Sequence, residues 1–179
     1  MVVKDKDIIL AMKEHPDKGF RLLMARFKEP VYWHIRRLVV SHADAQDAAQ
    51  ETFVRIFRSF CRFDENGSLT AWIYRIATNE ALRILNRYPD ERLSLDCKDA
   101  GVGGMMADTY VDYGDLETVK LQNAILSLPA KQQIAFNLRY YDELDYKEIA
   151  DITGSTISAA KANYHIAKDK IIQYMNSHD

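Results

Sequence analysis

Residues Leu93 to Thr118 limit what this chain can become more than any other segment. Gly101, Gly103, Gly104 and Gly114, four of the seven glycines in 179 residues, fall inside it, and apolar periodicity stops there. Six carboxylates, Asp96, Asp99, Asp108, Asp112, Asp115 and Glu117, face a single Lys98, so the segment carries a net charge of −5. Such a stretch cannot bury a core, and it divides the chain into two lobes on a flexible acidic tether. The overall charge of −2 hides this division, because the residues before Leu93 carry +3 and those after Thr118 are neutral. A solvated spacer is the plain reading of the acid run, and a decoy strand that occupies a nucleic-acid channel is the sharper one. The expected units are 1–92, a linker over 93–115, and 116–179.

Several classes are disfavoured at once. A pI near 6.2 does not suit a uniformly basic nucleic-acid-coating protein, so only a local basic surface could read DNA. No apolar run reaches the roughly 18 residues of a membrane helix, and the start Met1 to Asp7 is too charged for a signal peptide, so a cytoplasmic protein with no membrane insertion is expected. Cys61 and Cys97 have no partner at metal-ligand spacing, and no histidine sits near either in such a pattern; no metal site, disulfide framework or cofactor is expected.

Both lobes read as helical, so the expected fold class is all-α with no sheet. Ile8, Ile9 and Met12 mark a first helix, and Lys18-Gly19 is read as the break before a second. Phe20, Leu23, Met24, Phe27, Val31, Ile35, Leu38 and Val39 follow at steps of three and four, a period that continues through Pro30 and so predicts a kink rather than an end. Ser41 to Asp44 supplies caps for a third helix with Ala49, Phe53, Ile56, Phe57 and Phe60 on its buried face. Asp64 to Ser68 reads as a loop, and a fourth helix over Leu69 to Arg87 buries Leu69, Trp72, Ile73, Ile76, Leu82 and Leu85 until Pro89 stops it. Beyond the linker, helices are expected over Leu116 to Leu126, Pro129 to Tyr141, Asp145 to Thr153 and Thr156 to Met175. Between the last two, Gly154 can take positive φ and Thr156 can cap, with Ile149, Ile152, Ile157 and Ala160 closing the angle. That is a helix-turn-helix pattern, which a generic helical hairpin would also satisfy.

Three segments carry a resemblance. Asp44 to Phe57, with Asp47, Gln50 and Glu51, resembles the polymerase-binding helix of sigma region 2. Ala71-Trp72-Ile73-Tyr74-Arg75-Ile76-Ala77-Thr78-Asn79 resembles the next helix of that region, which faces promoter DNA. Leu128-Pro129 through Tyr140, with Tyr146 to Ala150, resembles sigma region 4. In this order, and with an acidic linker between, they resemble the extracytoplasmic-function sigma factors of the sigma-70 family: a region 2 helical bundle and a region 4 helix-turn-helix.

The resemblance implies roles for named residues. Asp47, Gln50, Glu51, Val54 and Arg58 would dock on the β′ clamp helices of core RNA polymerase; read alone, that face is a solvated helix surface with a Glu51 to Arg55 pair worth roughly 0.3 kcal/mol. Asn66, Ser68, Tyr74, Arg75, Asn79 and Arg83 would meet the −10 element of promoter DNA. Asn79 would satisfy a flipped base, since an amide both donates and accepts; its plain alternative is a surface asparagine, and that of Asn66 a turn former beside Gly67. Arg75, Arg83 and Arg87 would contact phosphate or simply form a solvated stripe. Trp72, in register with Leu69 and Ile76, is read as core and Tyr74 as lying off that stripe.

In the second lobe, Thr156, Ser158, Ala159, Lys161, Ala162, Asn163 and Lys168 would present to a −35 element, with Ile157, Ala160, Tyr164 and Ala167 turned inward. Here the chain departs from its family, because Asn163 stands where the pattern has Arg and Ile166 replaces another; an Asn amide suits adenine rather than guanine. Ile134, Phe136 and Leu138 would either face the polymerase β flap or belong to the core. An anti-sigma factor, free or membrane-anchored, is a further implied partner. The expected function is promoter recognition and opening for core polymerase, with no catalysis by the chain itself, since no phosphate loop, nucleophile elbow or paired catalytic carboxylates occur. A stand-alone helix-turn-helix repressor and a helical enzyme with a site in the first lobe are the alternatives; the second would need a polar cluster that His34 and His42 do not suggest.

Overall fold

The computed structural model describes residues 3–39, 41–87 and 115–177. Among them there is no strand; α1 spans Asp5–Glu14, α2 Pro16–Val39, α3 His42–Ser59 and α4 Leu69–Leu85, with a 3-10 turn over Phe60–Arg62. After the linker come α5 Leu116–Leu126, α6 Ala130–Tyr140, α7 Tyr146–Thr153 and α8 Ile157–Ser177. Of the expected linker only Asp115 is described, as the N-cap of α5; Pro89 lies outside the described residues.

The first lobe is built around α2, which runs unbroken through Pro30 as its apolar period requires. Its start differs from expectation. The chain breaks at His15, and Gly19 lies inside α2, buried against α1. A Cβ on Gly19 would stand 2.3 Å from the Met12 backbone nitrogen, so glycine is present because two backbones touch, not to end a helix. Arg26 on α2 ties down the start of the chain through the Val3 carbonyl at 3.1 Å and a salt bridge to Asp5. The Ser41 hydroxyl accepts from the Asp44 amide and caps α3. The buried face of α3 is turned from the expected one: Ala45, Ala48, Thr52, Phe53 and Ile56 are inside, whereas Phe57 is 45% exposed. Trp72, expected in the core, is half-buried at its edge, its ring packed against Phe60 and Phe63.

In the second lobe, Asp145 and Glu148 form a reciprocal capping box at the start of α7. Gly154 ends that helix at φ +62°, and the Ser155 amide closes on the Ala150 carbonyl at 2.9 Å. Thr156 then caps α8 through the Ala159 amide. A small core of Ala124, Ile125, Leu128, Phe136, Ala167 and Ile171 holds α5 and α6 to α8. Ala160 and Ala167 turn inward and Tyr164 is half-buried, but Ile157, expected inside, is 55% exposed. The two lobes share one core. Ile134, Leu138, Leu144, Ile149 and Ile152 pack into the cluster formed by Ile35, Ile73, Ala77 and their neighbours in the first lobe.

Candidate functional site

Successive positions on a helix point about 100° apart, so a long helix in a bundle serves several surfaces at once. On α2, Trp33 and the largely buried Arg36 border an open groove, while His34 and Arg37, one residue on, are buried where the C-terminal lobe packs. On α3, one side faces that same groove and the other faces α4.

The groove between α2 and α3 encloses about 1210 Å³. Phe20, Met24, Phe53 and Phe57 supply apolar lining, with the Phe20 and Phe57 rings edge to face at 5.2 Å. Asp47, Gln50, Val54 and Arg58 lie along its α3 wall. Four of the five residues expected on one polymerase-facing surface are thus brought together; Glu51 instead pairs with Arg55 at 3.0 Å. Phe53 and Phe57 share this groove with the polar residues rather than lying opposite them. An apolar groove of this size rimmed by charge is what an amphipathic helix fits.

The second feature is a smaller cleft of about 320 Å³ between α3 and α4, lined by Arg55, Arg58, Ser59, Arg62, Ile76, Asn79 and Glu80. Asn79 is exposed there among arginines, as a base or phosphate contact requires. Glu80 is buried and held by Arg55 from α3 and Arg83 from α4, both at 2.8 Å. Arg55, Arg62 and Glu80 were not among the expected site residues; nothing local in the sequence places α3 arginines beside α4. Arg75 and Arg87 are exposed.

Two other expected contacts have other partners. The Ser68 hydroxyl caps α4 by accepting from the Ala71 amide and donates to Glu148 of the C-terminal lobe at 3.2 Å. Tyr74, expected off the core, is buried, and its hydroxyl donates to Asp142 at 3.2 Å. Burial pushes the Tyr74 phenol well above its ordinary range; the nearby Asp142 carboxylate and its hydrogen bond add to this, while Arg37 opposes it. Asn66 folds onto the Asp64 carboxylate through its amide and backbone nitrogens, which makes it a turn former. In the helix-turn-helix, Ser158, Lys161, Ala162 and Lys168 are exposed, Ala159 and Asn163 are half-buried, and Thr156 caps. Ile134, Phe136 and Leu138 are all buried, so in this arrangement they belong to the core.

Sequence and structure comparisons place this architecture. A family model for Sigma-70 region 2 matches residues 23–88, and one for Sigma-70, region 4 matches residues 118–171. The two lobes therefore have the build of a sigma-70 type initiation factor. The chain is 29% identical to the ECF RNA polymerase sigma factor SigW of Bacillus subtilis over 96% of its own length and 95% of that protein. It is 27% identical to the ECF RNA polymerase sigma-E factor of Haemophilus influenzae, over 93% of each chain. The fold is that of CnrH, solved in complex with the cytosolic domain of CnrY, at a TM-score of 0.75 and 18% identity over 98% of this chain and 99% of that one. The sigma factor RpoE of Bartonella quintana, solved with the anti-sigma factor NepR, matches at a TM-score of 0.71 and 21% identity over 90% of this chain and 99% of that one. The chain belongs to the extracytoplasmic-function RNA polymerase sigma factors of the sigma-70 family. No helix among the described residues is long and apolar enough to cross a membrane.

Proposed function

We propose that the α2/α3 groove receives the β′ clamp helices of core RNA polymerase, that the α3/α4 cleft around Asn79 reads a flipped base of the −10 element, and that the exposed start of α8 enters the major groove of a −35 element. The observation that carries this reading is the groove itself: it joins Asp47, Gln50, Val54 and Arg58 to an apolar floor large enough for a helix. Arg58 lines both groove and cleft, so polymerase and DNA would engage opposite sides of one helix. The same groove suits a helix of an anti-sigma factor, which would compete with polymerase for it; solved relatives of this fold are complexes with such partners. Units 1–92 and 116–179 act as the two promoter-reading modules, and the acidic 93–115 spaces them. Readout at −35 is modest, because Lys161, Lys168 and Lys170, the exposed lysines of α8, are partly offset by Asp169, Lys170 is bonded to Gln132, and Asn163 is half-buried.

Run-off transcription tests the whole reading. With this chain as the sole specificity subunit, core polymerase should give a discrete transcript from the region upstream of its own coding sequence. Absence of both a transcript and core association would overturn it. A stand-alone repressor would instead bind its operator tightly without polymerase.

A further inference from the structure

A carboxylate stands among the arginines of the α3/α4 cleft. Glu80 follows Asn79 on α4, and where Asn79 is exposed the Glu80 side chain is only 3% exposed. Its two oxygens hold two different arginines. Oε1 accepts from Nε of Arg55, on α3, at 2.8 Å. Oε2 accepts from Nε and Nη2 of Arg83, one turn beyond Asn79 on α4, at 2.9 and 2.8 Å. Arg55 Nε also donates to Glu51 Oε1 at 3.0 Å, so this guanidinium is fixed between a carboxylate of its own helix and one of α4.

Base recognition by Asn79 does not require this carboxylate, and affinity for DNA argues against it. An anion beside Arg55, Arg58 and Arg62 lowers the positive potential that attracts phosphate. Nor is a buried ion pair a strong tie between α3 and α4, since desolvation offsets much of the attraction and well-packed apolar residues would hold the helices as firmly. What a carboxylate supplies and an apolar residue does not is orientation. A guanidinium bonded through Nε keeps its plane, and its remaining Nη hydrogens then point away from the carboxylate. The Arg55 and Arg83 side chains stay 51% and 40% exposed, so each is anchored at one edge and open to solvent at the other. An arginine held in this way is preorganised for the contact that a phosphate offers.

We propose that Glu80 is a positioning residue: it aims Arg55 and Arg83 at the phosphates that flank the base entering beside Asn79, and so sets the register in which that base is presented. Glu80 itself touches no DNA. This role rests on the reading of the cleft as the −10 site given above, and adds to it how the strand is held.

The test uses the holoenzyme, core polymerase with the full chain, titrated onto the DNA upstream of its own coding sequence at several salt concentrations. Open-complex formation and polymerase affinity are measured separately. Glu80→Gln removes a negative charge, which by charge alone would strengthen DNA binding. Positioning predicts the opposite sign: open-complex formation falls about tenfold with polymerase affinity unchanged. Glu80→Asp keeps the charge but shortens the reach by one methylene, and should lose about threefold. Arg55→Gln and Arg83→Gln should each lower formation and flatten the salt slope by about one. In a chain lacking both arginines, Glu80→Gln should cause no further loss. Unchanged or increased formation in Glu80→Gln, with Asn79→Ala defective, would overturn the positioning role and leave base recognition by the cleft standing. An Asn79→Ala variant as active as the parent would overturn the cleft reading, and this role with it. Equal loss of polymerase binding in both Glu80 variants, or failure of both to fold by circular dichroism, would make Glu80 structural and likewise overturn the proposal.

Discussion

Tyr74 shows how one residue can change meaning between a sequence and a fold. It lies off the apolar stripe of its own helix, which suggests exposure, yet a second lobe covers it and its hydroxyl is spent on Asp142. Its raised pKa means that the folded state favours the neutral phenol. That contribution is complete below the ordinary tyrosine range of about 10 and is lost as pH climbs through it toward the higher value of Tyr74 itself. Tyr74→Phe should therefore leave unchanged the number of tyrosines that ionise near pH ~10 in a spectrophotometric titration of the folded chain; loss of one would show that Tyr74 titrates normally. Glu143 gives a second prediction. Glycine tolerates its φ of +55° without a Cβ penalty, so Glu143→Gly should stabilise the chain by about 1 kcal/mol and raise Tm by about 2 to 4 °C.

Among the elements, α1 and α2 meet backbone to backbone at Gly19. A methyl group there would meet the Met12 nitrogen and Cα at 2.3 and 2.4 Å, and neither atom can rotate away as a side-chain tip would. Gly19→Ala should cost about 3 kcal/mol or detach α1, seen as faster hydrogen exchange over 5–14 with α3 and α4 unaffected. Helix positions themselves were legible in the sequence, because a period near 3.6 and cap residues such as Ser41 and Thr156 act over a few positions. The rotation of α3 was not. Phe57 fits the apolar period, but whether it points into a core or a groove depends on how closely α2 approaches, and that is decided by packing.

For the whole molecule, the groove and the cleft predict separable losses. Asp47→Ala with Glu51→Ala, or Phe57→Ala alone, should weaken core polymerase binding about tenfold or more, roughly 1.4 kcal/mol, with circular dichroism unchanged because Asp47 and Phe57 are exposed and Glu51 is half-buried. Asn79→Ala should lower open-complex formation by about 1 to 3 kcal/mol and leave polymerase affinity intact. Equal loss of both activities in the Asn79 variant would mean that Asn79 supports the fold.

The sequence alone determined that the chain is helical, that it divides at an acidic glycine-bearing segment, and which three motifs point to a sigma factor, because periodicity, charge and capping are local quantities. His34 follows Val31 by three and precedes Leu38 by four, so a polar ring sits at core spacing. Only the tertiary structure decided what that ring meets. Asp142 is 105 residues from Arg37 and 68 from Tyr74, and no repeat or propensity links positions so far apart. Closure of one lobe on the other turns an ordinary turn aspartate into a buried charge, because burial is set by what packs above a residue, not by its neighbours along the chain.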